Sequence, residues 1–550
     1  MKRNKLTLTG AAVLGVGAIA LAGCGSSDSG SGDDDAGSGS GPEFGIAFNA
    51  DGGHQAWVDA VTNNLEGTLG INAVANSFPD FASMRDEITN RTIDGAFRSG
   101  WQADYPGLYN FLGPLYATNA GSNDGDYSSE DFDSLIAEGI GTEDPAAANE
   151  FYTQAQEVLL QDLPAIPLWY QNVVAGWSEN VENVQIDWHS VPIFHEITKA
   201  EGGQITVNGS EPQNPLIPTS TNEVGGGKIL DAMFAGLVSY QADGSVQNDV
   251  AEEITVDSPT QLTVKIREGL MFTNGEEVTA DNFIKAWNYG AEQENAQLSQ
   301  YFFEDIEGFE NVPEEEIYGA QGDGLSGLNQ VDDYTFEITL NKPASDFAQR
   351  LGYSAYYPLP DVAFEDMEAF GENPIGNGPY MPNGEGAWTH DEQMDLVANP
   401  DYDGVRTPDN EGILVKFYAS QDAAYADLLS NNLDVLDQLP DSAFEKYEEE
   451  LGDRSVNQPA AIFQSFTIPQ EMEHFSGEEG KLRRQAISMA IDRESITDVI
   501  FQGTRTPASD FTSPVIDGWS DDLEGGEVLE YDPEKAMELW EEANEISPWE

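Results

Sequence analysis

The chain has 550 residues, too many for one ordinary core, so two or three lobes are expected. Hydrophobic residues make up 39% and aromatic ones 10%, enough to fill those lobes and to exclude general disorder. The 99 Asp and Glu against 23 Lys and Arg give a formal net charge of -76 with no compensating basic stripe, which excludes nucleic-acid binding and leaves a solvated, acidic surface.

A basic start at Lys2, Arg3 and Lys5 runs into an apolar stretch from Ala11 to Ala22. A membrane span needs about 20 apolar residues, so this stretch is too short and has the layout of a secretory signal instead. It ends "LAGC" at Leu21 to Cys24, and Cys24 is the chain's one cysteine, so no internal disulfide forms. The small residues before it resemble the lipobox of bacterial lipoproteins. That resemblance implies a signal peptide over residues 1–23, acylation of Cys24, and attachment to the extracytoplasmic face of the cell membrane by the lipid alone. Residues 24–41, rich in Gly, Ser and Asp, cannot bury a core and read as a flexible tether.

Folded sequence begins near Phe44, where "FGIAFNADGG" reads as a strand ending in a Gly turn. "HQAWVDAVTNNL" comes next, with Ala56, Trp57, Ala60, Val61 and Leu65 at helical spacing. "GINAVANSF" reads as strand, "FASMRDEITNRT" as helix and "DGAFRSGW" as strand, an order that suggests an α/β lobe with a partly parallel sheet. The polar loop "NAGSNDGDYSSEDFD" leads to a helix from about Ala146 to Leu160. "LPAIPLWYQNVVAGW" is then extended, punctuated by Pro164 and Pro167. From Gly202 a strand gives way to a Pro- and Gly-rich loop, and "KILDAMFAGLVSY" is helical into extended. "TQLTVKIREGLMF" alternates Leu262, Val264 and Ile266 as a strand does. Thr279 caps a helix that puts Phe283, Ala286 and Trp287 on one face. "YTFEITLNKP" is a second alternating strand, residues 374–404 are turn-rich, "ILVKFYAS" is a strand, and "QDAAYADLLSNNLDVL" is a helix then a strand. "KLRRQAISMAIDRESITDVI" holds two short helices. In "YDPEKAMELWEEANEI" Asp532 caps, Pro533 takes the first helical position, and Ala536, Leu539, Trp540 and Ala543 face inward. No repeat of 20–50 residues is visible, which argues against solenoids and propellers.

No catalytic or metal-binding motif stands out in the sequence. "VGGGK" at Val224 to Lys228 fails as a phosphate loop, because Asn222 and Ile229 stand where Gly and Ser or Thr are needed. "NDGDYSSED" is acidic enough for calcium but lacks the Gly at its sixth position. The five histidines form no H-E-x-x-H and have no cysteine partners, so His189 and His195 read as structural. No G-x-S-x-G nucleophile appears. With 99 acids some pair lies at any given spacing, so carboxylate pairs for glycoside hydrolysis carry no information. Neither a metal nor a cofactor is expected.

Several long motifs together resemble the extracellular solute-binding proteins of the peptide and nickel class, which serve ABC importers. They are "LTVKIREGLMFTNGEEVTADNFIKAW", "PIGNGPYM" through "NPDYDG", "LRRQAISMAIDRESI", "GWQADYPGLYNFL" and "DLPAIPLWY". Asn282 stands where that family's pattern usually has Asp. The order also departs: Phe44 to about Lys199 carries the family's late blocks ahead of its early ones. The sequence therefore looks circularly permuted, which is tolerable where the old termini lie close together.

The resemblance implies an α/β, two-lobed fold like that of periplasmic binding proteins, with a hinge and a small extra domain, in permuted order. The second lobe would comprise 42–167 and 458–550, the first lobe 168–234 and 373–457, and the small domain 235–372. The hinge would cross near Gln458–Phe466 and Ala165–Tyr170. A monomer without enzymatic activity would capture oligopeptides between the lobes and hand them to membrane permease subunits. Matched residue by residue, Asp104 would pair with a peptide's α-ammonium and Arg98 with the carboxylate of short peptides. Trp101, next to Gly100 in the same block, would wall a side-chain pocket, and Asn222, Glu223 and Val224 would meet the peptide backbone. A local salt bridge between Arg98 and Asp104 is the alternative that needs no ligand. The rival functions are a binder of the same fold for a sugar, an opine or a nickel chelate, and a surface hydrolase with an acid pair. Retention of both Arg98 and Asp104 favours peptide.

Overall fold

The computed structural model describes residues 41–550 except Asp80, Glu143, 313–316, 321–323 and Glu550. The signal segment, Cys24 and all of the tether but Gly41 lie outside the described residues.

One long mixed sheet organises the chain. From one edge it runs through Tyr380–Pro382, Gln393–Ala398, Gly412–Phe417, Ile205–Gly209 and Val435–Leu436 to the strand Ala165–Trp177. From there it continues through Ser455–Thr467, Ala96–Gln102, Glu43–Asn49 and Asn72–Phe78. Glu43–Asn49 pairs parallel with both of its neighbours. Six of its seven residues are buried, as expected of a parallel strand covered on both faces. The helix Gln55–Leu69 covers it through Trp57, Val58, Val61 and Leu65.

Ala165–Trp177 and Ser455–Thr467 have 13 residues each and run antiparallel through the middle of the sheet. Their outer halves have different neighbours. Ile462–Thr467 pairs with Ala96–Gln102, whereas Gly176 and Trp177 pair with Leu436 and Val435. The ladder between the two long strands is interrupted from Pro459 to Phe463. Pro459 has no N–H to donate, so a weak point falls where the two halves of the sheet join.

Two large hydrophobic cores lie on either side of that join. One gathers Phe44, Trp57, Phe111, Ile166, Phe466, Phe475 and Trp540, drawn from both ends of the described chain. The other gathers Ile205, Leu230, Phe234, Trp287, Phe336 and Leu396. The second core also takes in an antiparallel sheet ordered Ala251–Ser258, Gln261–Ile266, Thr335–Thr339 and Leu328–Asp332, in which Leu262, Val264 and Ile266 are buried on one face. The two described ends of the chain meet at the edge of the first core. A Cβ on Gly41, at φ +98°, would collide with the Trp549 ring. Trp549 itself packs against Trp540 and Phe475 at ring distances of 5.1 and 6.0 Å.

Asn282 shows why Asp is dispensable there. Its Oδ1 accepts from the Thr279 N–H at 2.8 Å and from the Thr279 hydroxyl at 2.9 Å, closing the cap of the helix Ala280–Ala291. Its Nδ2 donates to Glu276 at 2.9 Å and to the Leu359 carbonyl at 3.1 Å. A carboxylate could supply only the first pair of bonds, since it has no N–H to donate. The acidic "NDGDYSSED" loop is tied down by cations of its own. Asp124 pairs with Arg85 at 2.5 Å and Asp126 with Arg91 at 2.8 Å.

No helix among the described residues is long and apolar enough to cross a membrane.

Candidate functional site

The strand Ala96–Gln102 is held against Ser455–Thr467 and delivers its last residues to the seam between the cores. Beyond it, the Ala103 N–H bonds to the Ala461 carbonyl at 2.9 Å, which carries the pairing one step further before the chain bends at Asp104. Asn110, in the first turn of the helix Leu108–Tyr116 and almost fully buried, holds Asp104 in place. Its Oδ1 accepts from the Asp104 N–H at 3.0 Å and from the Trp101 indole at 2.9 Å, and its Nδ2 donates to the Asp104 carboxylate at 3.2 Å. No ion pair to Asp104 forms among the described residues. Burial pushes its carboxyl above the usual range, and the Asn110 bond and the more distant Arg350 only partly offset that.

Asp104 lines a cavity of about 280 Å³ that takes walls from both cores. Gln102, Ala103 and Asp104 form one side, and Asn222, Glu223, Val224, the 187–195 loop and Tyr353 form others. The three expected contact residues after Thr221 differ in role. Asn222 and Val224 are exposed on the rim, Val224 by 56%. Glu223 turns its carboxylate back to cap the helix Val224–Met233, accepting from the Gly225 and Gly226 N–H groups at 2.7 and 2.8 Å. This also accounts for Gly226 of "VGGGK", whereas Gly227 has open space around it. A Cβ on Gly226 would collide with the Glu223 Oε1, so the cap needs a residue without one.

Arg98 goes elsewhere. With Gly100 and Trp101 it lines a second cavity, of about 240 Å³, whose walls include Phe81, Phe97, Tyr116 and Phe463. Its guanidinium lies 5.6 Å from the Phe81 ring centroid. Asp104 is thus brought together with Asn222, Glu223 and Val224, and Arg98 is not, so the local Arg98–Asp104 salt bridge does not form.

Several cavity residues are missed by sequence reasoning. The Trp188 ring stacks on His189 at 4.9 Å and meets Tyr240 edge-on at 5.5 Å. Burial pulls His189 and His195 down to about 4, so both are neutral near pH 7. Asp187 accepts the N–H groups of His189 at 2.9 Å and Val191 at 2.7 Å, yet burial still pushes it up to about 7. The cations of the cavity are already matched: Lys228 with Asp437, and Arg406 with Asp249 at 3.0 Å. Beside the cavity a further contact joins the cores. The Tyr105 hydroxyl donates to Asp346, and Arg350, paired with Asp346 at 2.8 Å and Asp305 at 2.7 Å, lies 5.4 Å from the Tyr105 ring.

The family profile "Bacterial extracellular solute-binding proteins, family 5 Middle" matches residues 245–548, more than half of the chain. The oligopeptide-binding protein OppA of Bacillus subtilis is 26% identical over 354 residues, 60% of each chain. The dipeptide-binding protein DppE of the same organism is 26% identical over 361 residues, 63% of each. The periplasmic oligopeptide-binding protein OppA of Salmonella typhimurium is 26% identical over 321 residues, 56% of each. The chain thus spans about three-fifths of the length of the curated relatives it matches. Among solved structures, the unliganded open form of the periplasmic murein tripeptide binding protein MppA superposes with a TM-score of 0.53 at 20% identity, over 63% of this chain and 66% of that one. That likeness shows the two-lobed α/β fold. With the family profile, it establishes that the chain belongs to the bacterial extracellular solute-binding proteins, family 5.

Proposed function

We propose that this protein is the substrate-binding lipoprotein of an ABC importer, which captures oligopeptides between its lobes and delivers them to a permease. The observation that carries this reading is Asp104: a carboxylate positioned by Asn110, without an ion-pair partner among the described residues, in a cavity walled by both cores. A peptide's α-ammonium supplies the missing cation, and backbone pairing along Asn222 to Val224 would give affinity with broad side-chain tolerance. Arg98, Gly100 and Trp101 would serve a neighbouring subsite rather than the ammonium end. The protein acts as a monomer, without cofactor, held by lipid on Cys24 at the extracytoplasmic face of the cell membrane.

The lobes divide as second lobe 42–167 and 458–550, first lobe 168–234 and 373–457, and small domain 235–372, with the hinge in the two long strands. The order is circularly permuted. Two findings support this. Gly41 and Trp549 lie against each other at the edge of one core, as joined ends would. Matches to the curated relatives cover about three-fifths of each chain, and a collinear comparison of a rotated chain can follow only one of its two pieces.

Binding and turnover are separated by incubating the purified protein with unblocked peptides and oligosaccharides, isolating the protein by ultrafiltration, and reading both fractions by mass spectrometry. Peptides are expected in the retained fraction, uncleaved. Retention of sugars alone, or any new product, would overturn the reading.

A further inference from the structure

Three buried polar atoms around the cleft cavity have no hydrogen-bond partner among the described residues: the indole Nε1 of Trp188 and the hydroxyls of Thr221 and Ser239. The residues are 2%, 3% and 6% exposed, and all three line the cavity. A buried polar group without a partner is costly, so such a cluster marks where a ligand's polar atoms belong. The indole can only donate and requires an acceptor, while the hydroxyls can do either.

The same cavity holds two carboxylates besides Asp104. Asp187 uses Oδ1 for the His189 and Val191 N–H groups, and Asp231 uses Oδ1 for the Tyr357 hydroxyl at 2.7 Å. The second oxygen of each has no donor among the described residues. Asp231 is close enough to Asp187 to raise its proton affinity, and Tyr353 lies within electrostatic reach of both Asp104 and Asp231. All three acids line the one cavity. Lys228 and Arg406 line the cavity too and partly offset Asp187 and Asp231, but each makes its own ion pair elsewhere. Lys228 is taken by Asp437, and the Arg406 guanidinium donates to Asp249 and to the carbonyls of Asp231 and Phe234, both at 2.7 Å. Aromatic faces from Tyr240 and Tyr353 complete the enclosure, a setting that suits the aliphatic stem and charged head of a long basic side chain.

We propose that this cavity is a subsite for a basic side chain, so that the protein selects peptides whose first residue is lysine or arginine. Asp104 holds the α-ammonium, Asp187 and Asp231 hold the side-chain cation, and the Trp188 N–H donates to a peptide carbonyl. The inference rests on the peptide reading above.

Calorimetry with Lys-Ala-Ala and norleucine-Ala-Ala, which keep the same stem and differ in the charge, tests it in the wild type and in Asp187→Asn and Asp231→Asn. The wild type is expected to prefer the lysine peptide by about tenfold or more. Each variant is expected to lose most of that preference, chiefly through weaker binding of the lysine peptide. Both substitutions keep a side-chain oxygen that accepts the structural hydrogen bonds. Equal wild-type affinity for the two peptides would overturn the inference and leave the peptide reading standing. Full preference retained in both variants would overturn the assignment to these carboxylates. Binding of neither peptide would overturn both readings. If a variant fails to bind the norleucine peptide because it misfolds, the wild-type comparison decides alone.

Discussion

Asp104→Asn is expected to weaken binding of an unblocked peptide by about two orders of magnitude or more. In a closed cleft the carboxylate and the ammonium both lose their water, so each depends on the other. Removing one member of a buried charge pair costs about 3–5 kcal/mol, and about 1.4 kcal/mol is a tenfold change in affinity. The substitution spares the local structure, because an amide oxygen at 104 still accepts from Asn110 and the backbone N–H of residue 104 still reaches the Asn110 Oδ1. An N-acetylated peptide has no ammonium, so the wild type should bind it weakly and the mutation should then change little. Calorimetry on both proteins with both peptides closes the cycle. If neither acetylation nor Asp104→Asn alters affinity, Asp104 is not the anchor.

Asp437→Ala is expected to destabilise the fold by about 3–5 kcal/mol, the cost of leaving a buried partner charge alone. That is a large share of the roughly 5–15 kcal/mol that holds a typical domain together. The Lys228 and Asp437 side chains are 8% and 7% exposed. Asp437 is held from both sides by Asn208, whose Nδ2 donates to its carboxylate at 2.7 Å and whose Oδ1 accepts its N–H at 3.0 Å. Lys228 lies in the helix that begins at Val224, so the pair also pins the helix whose N-terminus forms part of the cavity. Combining Asp437→Ala with Lys228→Met should recover most of the loss, since a flexible apolar side chain of similar length fills the space without a charge. Urea unfolding of the two single variants and the double variant measures this. A double variant no more stable than Asp437→Ala would show that the loss comes from Asn208 and packing rather than from the stranded ammonium.

Local pattern carried most of the fold. The alternation of Leu262, Val264 and Ile266 placed a half-buried strand, and Asp532 with Pro533 placed the start of the helix Pro533–Ile546, because both signals act within a few residues. The continuous apolar run around Pro164 and Pro167 was legible as extended chain. Its place at the centre of the sheet was not, since that depends on Ser455–Thr467, far away in sequence. The site was legible only where a motif carried it. Asp104 came from its block, but Asn110, which orients it, is one polar residue inside an apolar helix and gives no local signal. Trp188, Ser239, Asp231 and Tyr353 meet in one cavity from segments that no spacing rule connects. Arg98 shows the limit of sequence proximity. Six residues from Asp104 in sequence, it faces another cavity, since it lies within the strand Ala96–Gln102 whereas Asp104 lies in the bend beyond it.

The most direct test is to identify what the protein carries when it is purified without denaturation. Native mass spectrometry, with release and sequencing of the bound species, is expected to find short peptides with free amino termini. A bound sugar, opine or nickel chelate, with peptides absent and unable to displace it, would contradict peptide capture while leaving the two-lobed fold intact.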